Sequence, residues 1–90
     1  MKIDTQLARG DQYVYNEVDG EVIMMNTNTG MYISLNDTAK QIWNMLDEPK
    51  QLSQIIAALA DDYNVTPEQC EKDVQPFIEQ LLSRQIAVIV

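Results

Sequence analysis

Thr29-Gly30-Met31-Tyr32-Ile33-Ser34-Leu35-Asn36-Asp37-Thr38-Ala39-Lys40-Gln41-Ile42-Trp43-Asn44-Met45-Leu46 joins two periodicities with almost no loop between them. Met31, Ile33 and Leu35 alternate with Tyr32 and Ser34, the period of a half-buried strand. Asn36 is a good helix N-cap, and Asp37 places a negative charge in the first turn, where the helix dipole favours it. Ala39, Ile42, Trp43 and Leu46 then recur at helical spacing, which predicts a helix over Asp37–Leu46 that stops before Pro49. A strand placed this way can lie at a sheet edge, and an exposed edge accepts a peptide as an added strand.

Upstream, residues 1–11 are polar and read as loosely held. Tyr13-Val14-Tyr15-Asn16 reads as a first strand, and Asp19-Gly20 is a tight hairpin signal because both residues tolerate positive φ. Glu21 to Asn26 is a second strand. Its Val22, Ile23, Met24 and Met25 are apolar on both faces, which predicts a central strand covered on two sides, with the methionines as core filling. After the polar turn Thr27–Gly30, residues 31–35 complete a three-stranded antiparallel meander with the second strand in the middle.

Downstream, Leu52, Ile55, Ile56, Leu59 and Tyr63 mark one apolar face of a second helix over Leu52–Tyr63. Thr66-Pro67-Glu68-Gln69 is a capping box with proline at the first helical position, a strong start for a third helix. Cys70, Val74, Phe77, Ile78, Leu81 and Leu82 carry its apolar face, and Pro76 inside it predicts a kink. The apolar tail, Ile86 to Val90, predicts a short strand or a packed extension. The order is three strands, then three helices. It predicts an α+β, winged-helix-like domain: a three-stranded antiparallel sheet followed by three helices, one domain over 1–90 with its core at about 12–86.

Composition narrows the function. Ninety residues make one small domain, and 46% apolar content is enough for a core. One cysteine forms no internal disulfide. No apolar run approaches the ~18–20 residues that span a bilayer, and Met1 to Leu7 lacks a signal-peptide core. These features predict a cytoplasmic protein without a membrane partner. A net charge of −8 argues against nucleic acid, whose affinity comes mostly from phosphate neutralisation.

The catalytic inventory is thin. Histidine is absent, which removes the commonest general base and metal ligand. Cys70 has no activating neighbour, and its spacing to Val74 and Phe77 reads as a small core residue. The acidic pairs Asp61/Asp62 and Glu68/Glu71 read as solvated surface, and no glycine-rich phosphate loop is present. The expectation is a binding protein with no catalytic residue, metal or cofactor.

Several of these stretches together resemble the PqqD-like family, the precursor-peptide recognition elements of ribosomally made, post-translationally modified peptides. The resemblance rests on Gly30 through Trp43, then Leu46-Asp47, Ile55 to Leu59, Tyr63-Asn64-Val65, Asp73-Val74 and Phe77 to Leu81, and it covers residues 13–86. The Leu35-Asn36 … Ala39 … Ile42-Trp43 run with the later Asp73-Val74 is its most specific part. The chain departs from the family pattern at Gln51, where a Ser or Thr cap is usual, and at Gln85, where a glycine is usual. The turn Asn28-Thr29-Gly30 and the lack of a cysteine after the first helix look more like the stand-alone partners of lasso-peptide pathways than the pyrroloquinoline quinone members.

The resemblance implies a non-catalytic protein that captures the leader segment of a precursor peptide as a strand beside the third strand, over a groove bounded by the third helix. The implied partners are that leader and a peptide-modifying enzyme, with a lasso-type leader peptidase favoured. A peptide chaperone in quinone-cofactor or radical-enzyme peptide modification is the alternative. The peptide-binding residues are expected at Met31, Tyr32, Ile33, Ser34, Leu35, Asp73, Phe77 and Gln80. Each has a plainer reading beside it: core packing for Phe77, a solvated helix charge or a structural bond for Asp73. Tyr32 alternates away from Met31 and Ile33, so it is expected on the peptide-facing side. Two other classes fit less well. A winged-helix DNA reader needs a basic recognition helix, and the third helix sets Glu68, Glu71, Asp73 and Glu79 against Lys72 and Arg84. An acidic carrier protein needs a serine at a helix start in an Asp-Ser-Leu context, and neither Ser34 nor Ser53 has one.

Overall fold

Asp19 and Gly20, at φ of 53° and 80°, fold the chain into the hairpin from which the rest of the architecture is built. The structure is a computed structural model that describes residues 2–90; Met1 lies outside the described residues. The elements in chain order are β1 (Gln6–Arg9), β2 (Tyr13–Val18), β3 (Glu21–Asn26), β4 (Tyr32–Leu35), α1 (Asp37–Met45), β5 (Lys50–Gln51), α2 (Leu52–Tyr63), α3 (Pro67–Ser83) and β6 (Ala87–Ile89). The expected meander is present as a sheet of order β2-β3-β4, antiparallel throughout. With the three helices behind it, the α+β, winged-helix-like class holds.

One face of this sheet is buried. Val22, Met24 and Leu35 point inward to pack with Ile42 and Trp43 of α1, Ile55 and Leu59 of α2, and Val74, Ile78 and Leu81 of α3. Each such side chain contributes ~1.5–3 kcal/mol when fully buried. The other face is open. Ile23 is exposed and Met25 only half-buried, so β3 is central in its sheet but covered on one side, not two. A run of four apolar residues reads alike under one covering layer or two, and only the packing tells them apart.

The helices begin where their caps place them. The Asn36 side chain accepts from the Ala39 N–H at 2.8 Å and starts α1. At α2, the Gln54 side chain accepts from the Gln51 N–H at 2.9 Å, which supports an end whose cap residue is weak. Thr66 caps α3 by accepting from the Gln69 N–H at 3.2 Å. The return half of that capping box is missing, because the Gln69 side chain turns down the helix to Asp73 at 2.9 Å. Helix α3 continues through Pro76. Lys72 and Pro76 are both exposed, so water can take up the carbonyl that proline leaves unpaired. At the far end Gln85, standing where the family pattern has glycine, takes a left-handed conformation, φ 58°. The Ile86 N–H then reaches the Leu81 carbonyl at 2.9 Å and the Gln85 N–H that of Leu82 at 3.1 Å, the paired bonds of a Schellman ending.

Two further expectations fail. Residues 6–9 are not loosely held: they form the centre of a second sheet, order β5-β1-β6, and Leu7 is fully buried. Its partners lie far along the chain, Gln6 facing Gln51 and Leu7 facing Ile89, so no local pattern announces it. The apolar tail becomes β6, as one of its two readings had it. Tyr63 leaves the apolar face of α2; it is 43% exposed, and its hydroxyl bonds to Gln41 and Thr38 of α1. Tyrosine tolerates this because its ring can rest on the surface while its hydroxyl finds polar partners.

Arg9 ties the two sheets to α1. Its guanidinium lies 4.4 Å from the centre of the Trp43 ring and 5.3 Å from that of Tyr15, while Nε donates to the Trp43 carbonyl at 3.1 Å. Tyr15 meets Trp43 edge-on at 5.2 Å. Gly10 follows where the chain presses against the end of α3; a Cβ there would come 2.0 Å from the Gln85 carbonyl oxygen.

Candidate functional site

Strand β4 pairs with β3 on one side, and among the described residues no strand lies on its other side. The register fixes which backbone groups that open side offers. The Asn26 N–H bonds to the Met31 carbonyl at 2.9 Å, and the pairs Met24/Ile33 and Val22/Leu35 follow at two-residue steps. In an antiparallel ladder these are the hydrogen-bonded pairs. The alternate residues, Tyr32 and Ser34, therefore direct their N–H and C=O groups away from β3, toward the open edge.

Beside this edge runs a cleft between β4, the start of α1 and the last turns of α3. Ile33, Ser34, Leu35, Asn36 and Ala39 line one side, and Gln80, Leu81, Arg84 and Ile86 the other. It holds about 90 Å³, well below the several hundred Å³ of a small-molecule site, and so suits single side chains carried past on an extended backbone. Its floor is apolar, from Ile33, Leu35, Leu81 and Ile86; its rim is polar, from Ser34, Asn36, Gln80 and Arg84. Acidic residues do not line it, although the chain carries 14 of them.

Of the residues expected from sequence, Ile33, Ser34, Leu35 and Gln80 meet at this cleft. Met31 precedes β4 and is 68% exposed. Tyr32, 73% exposed, stands on the open outer face of the sheet with Val14, Ile23 and Met25, so its side chain faces away from the cleft while its backbone faces the edge. Phe77 packs partly against the core. Asp73 is exposed and accepts the Gln69 amide. Sequence reading missed Asn36, Ala39, Leu81, Arg84 and Ile86 as cleft residues. Arg84 had a usable signal. It continues the stripe Asp73, Phe77, Gln80 at the next helical step, but it falls beyond the last apolar residue of α3.

Cys70 is buried, and its Sγ lies 3.6 Å from the Ile56 carbonyl. Burial, and to a lesser degree the nearby Asp73 carboxylate, push its thiol above the ordinary range, the reverse of what a nucleophile needs. Among the described residues no group of three or more His, Cys, Asp or Glu side chains is placed to hold a metal ion, and no helix is long and apolar enough to cross a membrane.

Residues 21–87 match the family described as coenzyme PQQ synthesis protein D (PqqD). The chain belongs to the PqqD family. It is 28% identical over 85 residues to the PqqA binding protein of Rhizobium meliloti (strain 1021), covering 94% of this chain and 85% of that protein. Among solved structures it is similar to TbiB1 in complex with the TbiA(beta) leader peptide, with a TM-score of 0.78, 28% identity, and 89% of this chain and 93% of that one covered. A lasso peptide synthetase B1 complexed with its leader peptide shares the fold at a TM-score of 0.74 and 20% identity, covering 91% and 96% of the two chains.

Proposed function

We infer that this protein captures the leader segment of a ribosomally made precursor peptide by strand addition along β4 and presents it to a modifying enzyme. The observation that carries the reading is the open β4 edge, with the backbone groups of Tyr32 and Ser34 turned outward beside a cleft sized for single side chains. Main-chain bonds give such a site affinity for many sequences, and the cleft adds selectivity through the anchors it accepts. The likeness to TbiB1 in complex with a leader peptide, at 28% identity, favours leader capture, and the turn Asn28-Thr29-Gly30 with no cysteine after the first helix favours a lasso-type pathway, with a leader peptidase as the enzyme served. Binding without catalysis fits a chain that has no histidine and whose one thiol is buried and held protonated.

A second reading has its own support. The relative described as a PqqA binding protein favours service in quinone-cofactor synthesis, through the same edge and cleft but with a different enzyme. The test is a titration of isotope-labelled protein with synthetic leaders of candidate precursor peptides. Amide shifts concentrated in 31–36 and 80–86 are expected, and the precursor's mass should stay unchanged when this chain is its only companion. Shifts confined to α1 or to residues 13–15, or cleavage by the chain alone, would sink the reading.

A further inference from the structure

The six cations of this chain are unevenly committed. Arg9 is stacked on Trp43 and Tyr15. The Lys40 ammonium donates to the Gly20 carbonyl, and Lys50 pairs with Asp47 and Glu48. Among the described residues the side chains of Lys2, Lys72 and Arg84 make no hydrogen bond or ion pair, and of these three only Arg84 lines the cleft. Its backbone is fixed: its carbonyl accepts from the Tyr13 hydroxyl at 2.9 Å, and its N–H bonds to the Gln80 carbonyl at 3.0 Å. Gln80, one helical turn earlier, also lines the cleft, and its side-chain amide has no partner among the described residues. Among the residues that line the cleft, Arg84 is the single charged one, and with Gln80 it sets two free side-chain donors on one helix face, in a protein of net charge −8.

We propose that Arg84 and Gln80 form a subsite for a carboxylate on the captured peptide, so that an acidic side chain at one position of the leader selects it and sets its register along β4. This rests on the peptide-binding reading above and sharpens it. Strand addition by itself fixes register weakly, because every two-residue slip restores the same backbone bonds. An anchor of defined charge removes that ambiguity. Guanidinium suits the task, since it stays charged at any working pH and can grip a carboxylate with two parallel N–H donors. The rest of the surface works against acidic peptides at long range, so a single carboxylate placed at Arg84 also discriminates against leaders that carry many. The carboxylate can come from an Asp or Glu side chain or from a peptide C-terminus; the subsite's chemistry is the same for both.

The test is a selection from displayed random 15-residue peptides followed by a fixed tail, which buries the terminal carboxylate in the library. It is run on the wild type and on R84E, each first shown to have a native melting curve. Peptides chosen by the wild type should share an Asp or Glu at one aligned position, and those chosen by R84E should lose it or carry Lys or Arg there. The best wild-type peptide, resynthesised with an amidated C-terminus, should bind about fivefold to tenfold more weakly when its acidic residue becomes the amide, the range expected for one partly exposed charge-assisted contact. On R84Q that change should make little difference. Peptides that shift the β4 amides but show no acidic preference, or that R84E selects equally, overturn the subsite and leave peptide capture standing. A preference that returns only with a free C-terminus also overturns the side-chain subsite and reassigns it to terminal carboxylates. Peptides that bind away from 31–36, or no enriched peptide at all, overturn the reading beneath it.

Discussion

Ser34 and Ile33 are neighbours with opposite backbone duties. The Ser34 N–H faces the open edge, and the Ile33 N–H faces β3. Proline removes a donor at either position, with different results. Ser34→Pro should keep the β3 ladder and weaken leader binding by at least tenfold (about 1.4 kcal/mol), because it deletes a bond that only the peptide uses. Ile33→Pro should cost folding instead, visible as a lower melting temperature before any peptide is added. Equal loss of binding and stability in both variants would contradict the register. The strand itself was legible in the alternation of Met31, Ile33 and Leu35, and so was its place at the end of a meander. Which of its residues face outward was not, since that depends on where Asn26 and Met31 pair across the turn. Cys70 makes a separate residue-scale prediction. Its thiol is held above its ordinary range, chiefly by burial, so the protonated form is favoured in the native state. The associated stability is present below the unfolded thiol's pKa of about 8.5 and is lost as pH climbs through the raised native value. Denaturant melts at about pH 7.5 and about pH 10 should therefore differ more for the wild type than for Cys70→Ala, which has no thiol to ionise.

At the scale of elements, the helices were readable and one of the sheets was not. Asn36, Thr66 and the 3.6-residue stripes act within a few residues of themselves, so α1, α2 and α3 begin where their sequences put them. Strand β1 depends on β5 and β6, which lie far along the chain (Gln6 faces Gln51, Leu7 faces Ile89), and its own sequence, Gln-Leu-Ala-Arg, offers one apolar residue that becomes core. The Tyr63 hydroxyl shows the same limit in miniature, because its partners on α1 lie more than 20 residues off. The β1–β6 seam is nonetheless structural. Ile86, 1% exposed, seals the Schellman turn of α3 against it. Ile86→Ala should lower unfolding free energy by ~2–4 kcal/mol in a denaturant titration. Deleting 86–90 should lower the melting temperature further, because the second sheet loses an edge strand along with the buried Ile86 and Ala87. An unchanged melt for the deletion would mean that the tail contributes nothing to the fold. Since Ile86 also floors the cleft, the substituted protein tests whether binding tracks stability or the cleft's shape.

For the molecule as a whole, charge and sheet topology act against each other. The meander has two open edges, β4 and the longer β2, and an outer face on which Val14, Val18, Ile23 and Tyr32 are exposed. Edges of this kind invite pairing between copies. A net charge of −8 holds copies apart at low ionic strength, and salt screens that repulsion to ~10 Å at about 0.1 M and ~3 Å at about 1 M. Sedimentation should thus find monomers in dilute buffer and growing, concentration-dependent assemblies in about 1 M salt; monomers under both conditions would show that the edges are blocked by their own geometry. In the language of polymers, each copy is then a divalent monomer, able to link head to tail through β2 of one copy and β4 of the next. A leader seated on β4 removes one of the two valences. Ligand becomes a chain stopper: added at well below one equivalent it should shorten the high-salt assemblies, and at saturation it should leave single chains, so the turbidity of a salted solution reports occupancy of the edge.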